Sequence, residues 1–149
     1  MEILIRPWQR DDFAAVQRIL WESWMVAYRP FLSEEDLRSH FEATYRIDAL
    51  ARLHDDPSVG GLIGEADGAA CGYARTQFQK DENRLTLASL YVLPDFQGRG
   101  IGGSLLRAVE DKALAYGLGE LWVGVMVQNS AAGGWYERRG FRFVGGGSF

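Results

Sequence analysis

Cys71 is the only cysteine in the 149 residues, so no disulfide can form within the chain, and a reducing setting, the cytoplasm, is expected. The two histidines, His40 and His54, have no second histidine or cysteine at ligand spacing, so no metal site is expected. No apolar run reaches the roughly 18 residues a membrane-spanning helix needs. Glu2, Arg6, Arg10, Asp11 and Asp12 occupy the N-terminus, where a signal peptide would carry its apolar region. No membrane partner is expected. Sixteen Lys and Arg are outnumbered by twenty Asp and Glu, a net charge of −4, which argues against a nucleic-acid partner. Gly-Lys-Ser/Thr does not occur, which excludes a Walker phosphate loop, and there is no internal repeat or low-complexity linker.

At about 150 residues per domain, one domain spanning 1–149 is expected. Hydrophobic residues at 47% and charged residues at 24% match ordinary globular usage and exclude a disordered chain. The charge is uneven: residues 1–60 hold seven basic and eleven acidic side chains, whereas 61–149 hold nine of each. The acidity is a solvated N-terminal face, and small cations suit it better than polyanions.

Glu2 to Arg6 alternates as a short strand, which Pro7 ends because it cannot donate to a ladder. Asp11 or Asp12 can cap a helix to about Tyr28, with Phe13, Val16, Leu20, Trp24 and Ala27 along one stripe. Ser33 and Asp36 resemble a capping box, which predicts a second helix to about Arg52. Val59 to Ala66 and Ala69 to Phe78 read as a hairpin turning at Asp67-Gly68. Leu85 to Leu93 reads as a central strand stopped by Pro94. Leu106, Val109, Ala113 and Tyr116 mark a helix ending at Gly117, and Leu121 to Val127 another strand. Ser130 to Arg139 reads as the last helix, with a short strand from Phe141. The order is β-α-α-β-β-β-α-β-α-β, an α/β or α+β fold with a mixed central sheet flanked by helices and the last strand short or missing.

The segment Leu90 to Gly103 carries the chemistry. A strand stops at proline, a short loop follows, and closely spaced glycines open a helix. Glycine lets backbone N–H groups converge without a Cβ in the way, and the helix N-terminus adds partial positive charge. Together these make a cradle for a phosphate or pyrophosphate, with Arg99 at its rim. Gly98, Gly100 and Gly103 also satisfy the dinucleotide pattern Gly-x-Gly-x-x-Gly, but the first glycine falls well past the strand and no acidic residue ends the next strand near Val127. A dinucleotide-dependent oxidoreductase is therefore a distant rival.

Gln97-Gly98-Arg99-Gly100-Ile101-Gly102 resembles the acetyl-CoA signature of the GNAT N-acetyltransferase superfamily, Gln/Arg-x-x-Gly-x-Gly/Ala, at every fixed position. Asn129-Ser130-Ala131-Ala132 and Tyr136-Glu137-Arg138-Arg139-Gly140-Phe141 resemble the family's later motif, and together the two cover residues 85–144. The resemblance implies an acetyl-CoA-dependent enzyme without a metal. It implies that Leu90, Tyr91 and Val92 lie along the pantetheine arm and acetyl carbonyl, and that Gln97, Gly98, Arg99, Gly100, Ile101, Gly102 and Gly103 hold the pyrophosphate. Asn129 is then placed on the pantetheine side, and Tyr136 beside the sulfur as general acid. Cys71 has no activating base in sight and is expected to be a buried structural thiol.

The family's strand glutamate is absent: Thr86, Ala88 and Gly124 stand where it would be expected. Proton removal is left to a water on Ser89, or to Glu22, Asp81 or Glu82. Trp21, Trp24 and Tyr28, with Glu22 beside them, can share one side of the first helix and are candidate acceptor-binding residues through cation–π and ionic contact. The closing segment is also similar to bacterial polyamine N-acetyltransferases, which implies a small cationic amine as acceptor. A protein amino group and a non-catalytic CoA-binding regulatory module are the alternatives. An unfinished sheet edge after Phe141 favours a homodimer.

Overall fold

A computed structural model describes residues 1–125 and 129–145. The elements are β1 (Ile3–Pro7), α1 (Phe13–Tyr28), α2 (Glu34–Thr44), α3 (Ile47–Asp55), β2 (Val59–Ala66), β3 (Ala69–Gln79), β4 (Arg84–Val92), α4 (Ile101–Ala115), β5 (Trp122–Val123) and α5 (Ser130–Glu137), with 3-10 turns at Arg10–Asp12 and Pro94–Phe96. The sheet runs β1-β2-β3-β4-β5, antiparallel through β4 and parallel between β4 and β5. The hairpin turns at Asp67 (φ 50°) and Gly68 (φ 86°), the positive pair that matches strand twist in a two-residue turn.

α4 crosses one face of β1–β4, and α1 and α3 cover the other. Its approach needs glycine beneath it: a Cβ on Gly72 would sit 2.9 Å from Leu105 Cδ1 and 3.0 Å from Ile101 Cγ2. Ile101 and Leu105 are fully buried there, each worth about 1.5–3 kcal/mol of burial. On the other face, Trp8 covers Gly61 and packs against Phe13, His54 and Tyr73 at centroid distances of 5.3–5.6 Å. No helix among the described residues is long and apolar enough to cross a membrane.

Three sequence expectations are corrected. The helix expected from Ser33 to Arg52 is two helices. Ser33 Oγ does accept the Asp36 N–H (3.1 Å), but Tyr45 and Arg46 leave the helical path, Arg46 at φ −61°, ψ 157°. The cause is tertiary: the Tyr45 carbonyl is taken by Gln17 Nε2 of α1 (2.9 Å), and the ring is buried against Trp24 and Phe41. Asp12 does not cap α1. Its carboxylate accepts the Gln9 N–H (2.7 Å) and two bonds from the Arg6 guanidinium (2.8 and 2.9 Å), so a 3-10 turn precedes the helix. The last strand, expected to be short or missing, is not formed over Phe141–Gly145, where Phe143 and Val144 are exposed. The strand expected at Leu121 to Val127 pairs only at Trp122–Val123; Met126, Val127 and Gln128, and the closing Gly146 to Phe149, lie outside the described residues.

Candidate functional site

Between β3 and β4, Leu87 pairs with Thr76 and Ser89 with Arg75, which leaves Ala88 as an extra residue on β4. Parallel pairing with β5 is confined to Thr86–Trp122 and Leu87–Val123, just before this bulge. Beyond it, β4 has no ladder partner on that side among the described residues. The Leu93 N–H bonds the Cys71 carbonyl (2.8 Å), so by antiparallel alternation Tyr91 also exchanges bonds with β3, while the N–H and C=O of Leu90 and Val92 face the open side. The Val92 carbonyl is met by Ser23 Oγ (3.3 Å) and Gln97 Nε2 (3.2 Å). Gln97 therefore straps the glycine loop to the end of β4.

That loop leads straight into α4. Gly98 (φ 77°) and Gly100 (φ 89°) hold left-handed conformations, and a Cβ on Gly98 or Gly103 would meet nothing within 4 Å. Gly100 is the N-cap and supplies no side chain; the Ser104 N–H is bonded to its carbonyl (3.0 Å). The N–H groups of Ile101, Gly102 and Gly103 thus have no acceptor within the helix and carry its positive end. Arg99 is exposed, its guanidinium 5.3 Å from the Phe96 ring centroid. An open, uncapped run of N–H donors fits a pyrophosphate. Gly102 also seats Trp135, whose ring would lie 3.4 Å from a Cβ there, so α5 docks beside the cradle.

Asn129 caps α5: its Oδ1 accepts the Ala132 N–H (3.1 Å), and its Nδ2 lies 3.5 Å from Tyr28 Oη. Tyr136 is buried between Trp135 (5.0 Å) and Phe141 (5.4 Å), and burial pushes its phenol above the ordinary value. Tyr28 and Trp24 are buried beside Tyr91, whose phenol is pushed up by burial and by the neighbouring Tyr28; the Trp24 Nε1–H has no hydrogen-bond partner among the described residues. The fold thus brings Trp24, Tyr28, Tyr91 and Asn129 together. It does not bring Trp21 or Glu22 to them. Trp21 packs on Phe41 (5.3 Å) under Arg38, and Glu22 is exposed and pairs with Arg18 (3.1 Å).

Thr86 Oγ1 bonds Gln79 Oε1 (2.9 Å), and Glu82 pairs with Arg84 (2.8 Å) at the far end of β4 from Leu90. Ser89 is buried opposite Arg75. Cys71 is fully buried with its thiol 3.6 Å from the Gly64 carbonyl, and burial pushes its pKa up, the reverse of what a nucleophile needs. Sequence reading missed Ser23, Tyr45 and Arg75. Ser23 lay within the aromatic stripe of α1 and could have been found by its spacing; the other two meet the site only through packing.

The profile of the Acetyltransferase (GNAT) family matches residues 13–141. The chain is 29% identical over 135 residues to an uncharacterized N-acetyltransferase of Mycobacterium bovis, an alignment that spans 91% of this chain and 84% of the relative. It is 31% identical over 140 residues to an acetyltransferase of Pectobacterium atrosepticum, spanning 94% and 88%. The fold superposes on the PaiA N-acetyltransferase of Thermoplasma acidophilum in complex with coenzyme A with a TM-score of 0.87 at 26% identity, covering 95% of this chain and 91% of that one. With the bulged central strand and the glycine cradle at its end, these matches show that the chain belongs to the GNAT family of acetyl-CoA-dependent acetyltransferases.

Proposed function

We propose that the chain moves the acetyl group of acetyl-CoA directly onto a primary amine of a small molecule, both substrates being bound at once. The observation that carries this reading is the continuity of the outward-facing Leu90 and Val92 backbone with the open N–H cradle of Gly98 to Gly103, joined through the Gln97 strap. A thioester carbonyl laid along β4 would meet backbone N–H groups as its oxygen gains charge. The amine nitrogen forms the new C–N bond, the C–S bond breaks, and the thiolate takes a proton from Tyr136. Before that attack the ammonium gives a proton to solvent through a water on Ser89; after it, the acylated nitrogen gives up its extra proton and Tyr136 is reprotonated from solvent. The products are the amide and free CoA. Tyr136 carries its proton at neutral pH, as a donor must, and burial raises its phenol above the ordinary value.

A polyamine is the second reading for the acceptor, favoured by the acidic balance of residues 1–60 and by the aromatic side chains of Trp24, Tyr28 and Tyr91. No carboxylate hydrogen-bonds to those three among the described residues. Calorimetric titration with acetyl-CoA and NADH, followed by thiol release with added amines, tests the transfer. Acetyl-CoA binding with amine-dependent thiol release is expected. Tight binding without release from any amine would favour the regulatory module, and NADH binding that acetyl-CoA does not displace would overturn the cradle's assignment.

A further inference from the structure

Three arginines are half-buried: Arg6, Arg75 and Arg84. Arg6 is held by Asp12 and Glu65, and Arg84 by Glu82. Arg75 has no carboxylate within 4.0 Å among the described residues, and the polar side-chain group beside its guanidinium is the Tyr73 hydroxyl. A half-buried guanidinium without a counter-charge costs folding free energy, because five N–H donors leave water without full replacement. The Tyr45 ring, 5.9 Å away, compensates weakly, since cation–π attraction fades near 6 Å.

The place of this cation is informative. Arg75 pairs with Ser89, the residue before Leu90, so their sheet spacing sets its Cα on the order of 6 Å from that of Leu90. Its side chain lies on the sheet face covered by α1 and Tyr45, the face that also carries Tyr73 and Tyr91. The Tyr73 hydroxyl beside it is fully buried and has no hydrogen-bond partner among the described residues. Burial keeps that phenol protonated, so it too is a donor without an acceptor. A guanidinium without a carboxylate, beside a hydroxyl that it can offer no acceptor and next to the strand along which the thioester would lie, is the complement of an anion on the second substrate.

We propose that the acceptor carries a carboxylate as well as its primary amine, and that Arg75 holds the carboxylate and is the specificity determinant of the acceptor site. This rests on the transfer reading above. The amine is then oriented from its own skeleton, with Arg75 as the fixed point and Leu90 as the reacting end.

The test uses four five-carbon acceptors that differ in their second group: L-2-aminopentanoate, 5-aminopentanoate, pentylamine and 1,5-diaminopentane. With saturating acetyl-CoA, thiol release should favour at least one of the two carboxylated acceptors over pentylamine and the diamine by roughly 10- to 100-fold in kcat/KM, the value of a charge-assisted pair. Arg75→Met, which keeps the stem and removes the charge, should bring that ratio to about one, and Arg75→Lys should retain part of it. The wild-type ranking is read without any substitution, and acetyl-CoA titration of each variant reports whether the fold is intact. Equal or faster release with pentylamine or the diamine overturns the proposal and leaves the transfer reading standing. A preference that survives Arg75→Met overturns the role of Arg75. No release with all four acceptors overturns transfer to small amines and the proposal with it.

Discussion

Tyr136 and Asn129 came from the same motif, but they stand differently. Tyr136 lies buried in an aromatic frame that constrains its ring, so Tyr136→Phe should preserve the packing and remove only the hydroxyl. If it protonates the thiolate, kcat falls by about 10²- to 10⁴-fold, while the acetyl-CoA Kd from calorimetry stays near wild type. Its pKa is raised above the ordinary 10.0, so the acid form persists past that value, and an alkaline limb of kcat set by Tyr136 should begin only above about pH 10. Asn129 spends its carbonyl on the α5 cap. Asn129→Ala should cost about 1 kcal/mol in urea unfolding, whereas Asn129→Asp keeps the cap. Were Asn129 also to hold the cofactor through Nδ2, Asn129→Asp would weaken acetyl-CoA binding without loss of stability.

Among the elements, the loop between β4 and α4 is the most demanding. Gly100 sits at φ 89°, with Ile3 Cδ1 4.0 Å from where a Cβ would be, so the obstacle to a side chain is backbone conformation, not space. Gly100→Ala should cost about 1–2 kcal/mol or push the loop out of its left-handed turn. Either outcome turns N–H donors away from the anion, and acetyl-CoA affinity by calorimetry should fall more than stability by urea unfolding does. β4 illustrates a second point at this scale. Its apolar run from Leu85 announced a central strand, but nothing in the run marked Ala88 as a bulge. The extra residue shows only in the pairing of Thr76 with Leu87 and of Arg75 with Ser89.

Across the whole molecule, Arg6 ties β1 to Glu65 of β2 and to Asp12 at the start of α1. Arg6 holds the Asp12 carboxyl below its ordinary 3.8, so Asp12 binds its proton more weakly folded than unfolded. Its contribution is complete above the unfolded value and is lost as pH falls below 3.8 through the folded one. Asp12→Asn should lower stability at neutral pH by about 1.5–3 kcal/mol, and its Tm difference from wild type should shrink below about pH 4. A difference unchanged by acid would remove the ion pair from the account. The features legible in the amino-acid order alone are local: the hairpin at Asp67-Gly68, the Ser33 cap, the stripe of α1 and the glycine-rich loop before α4, because turn chemistry, capping and helical periodicity act over a few residues. The division of the second helix, the failure of Asp12 as a cap, the outward turn of Glu22 and the isolation of Arg75 were decided only by tertiary structure. Each depends on a partner far along the chain: Gln17 for Tyr45, Arg6 for Asp12, and for Arg75 a carboxylate that the fold does not bring to it.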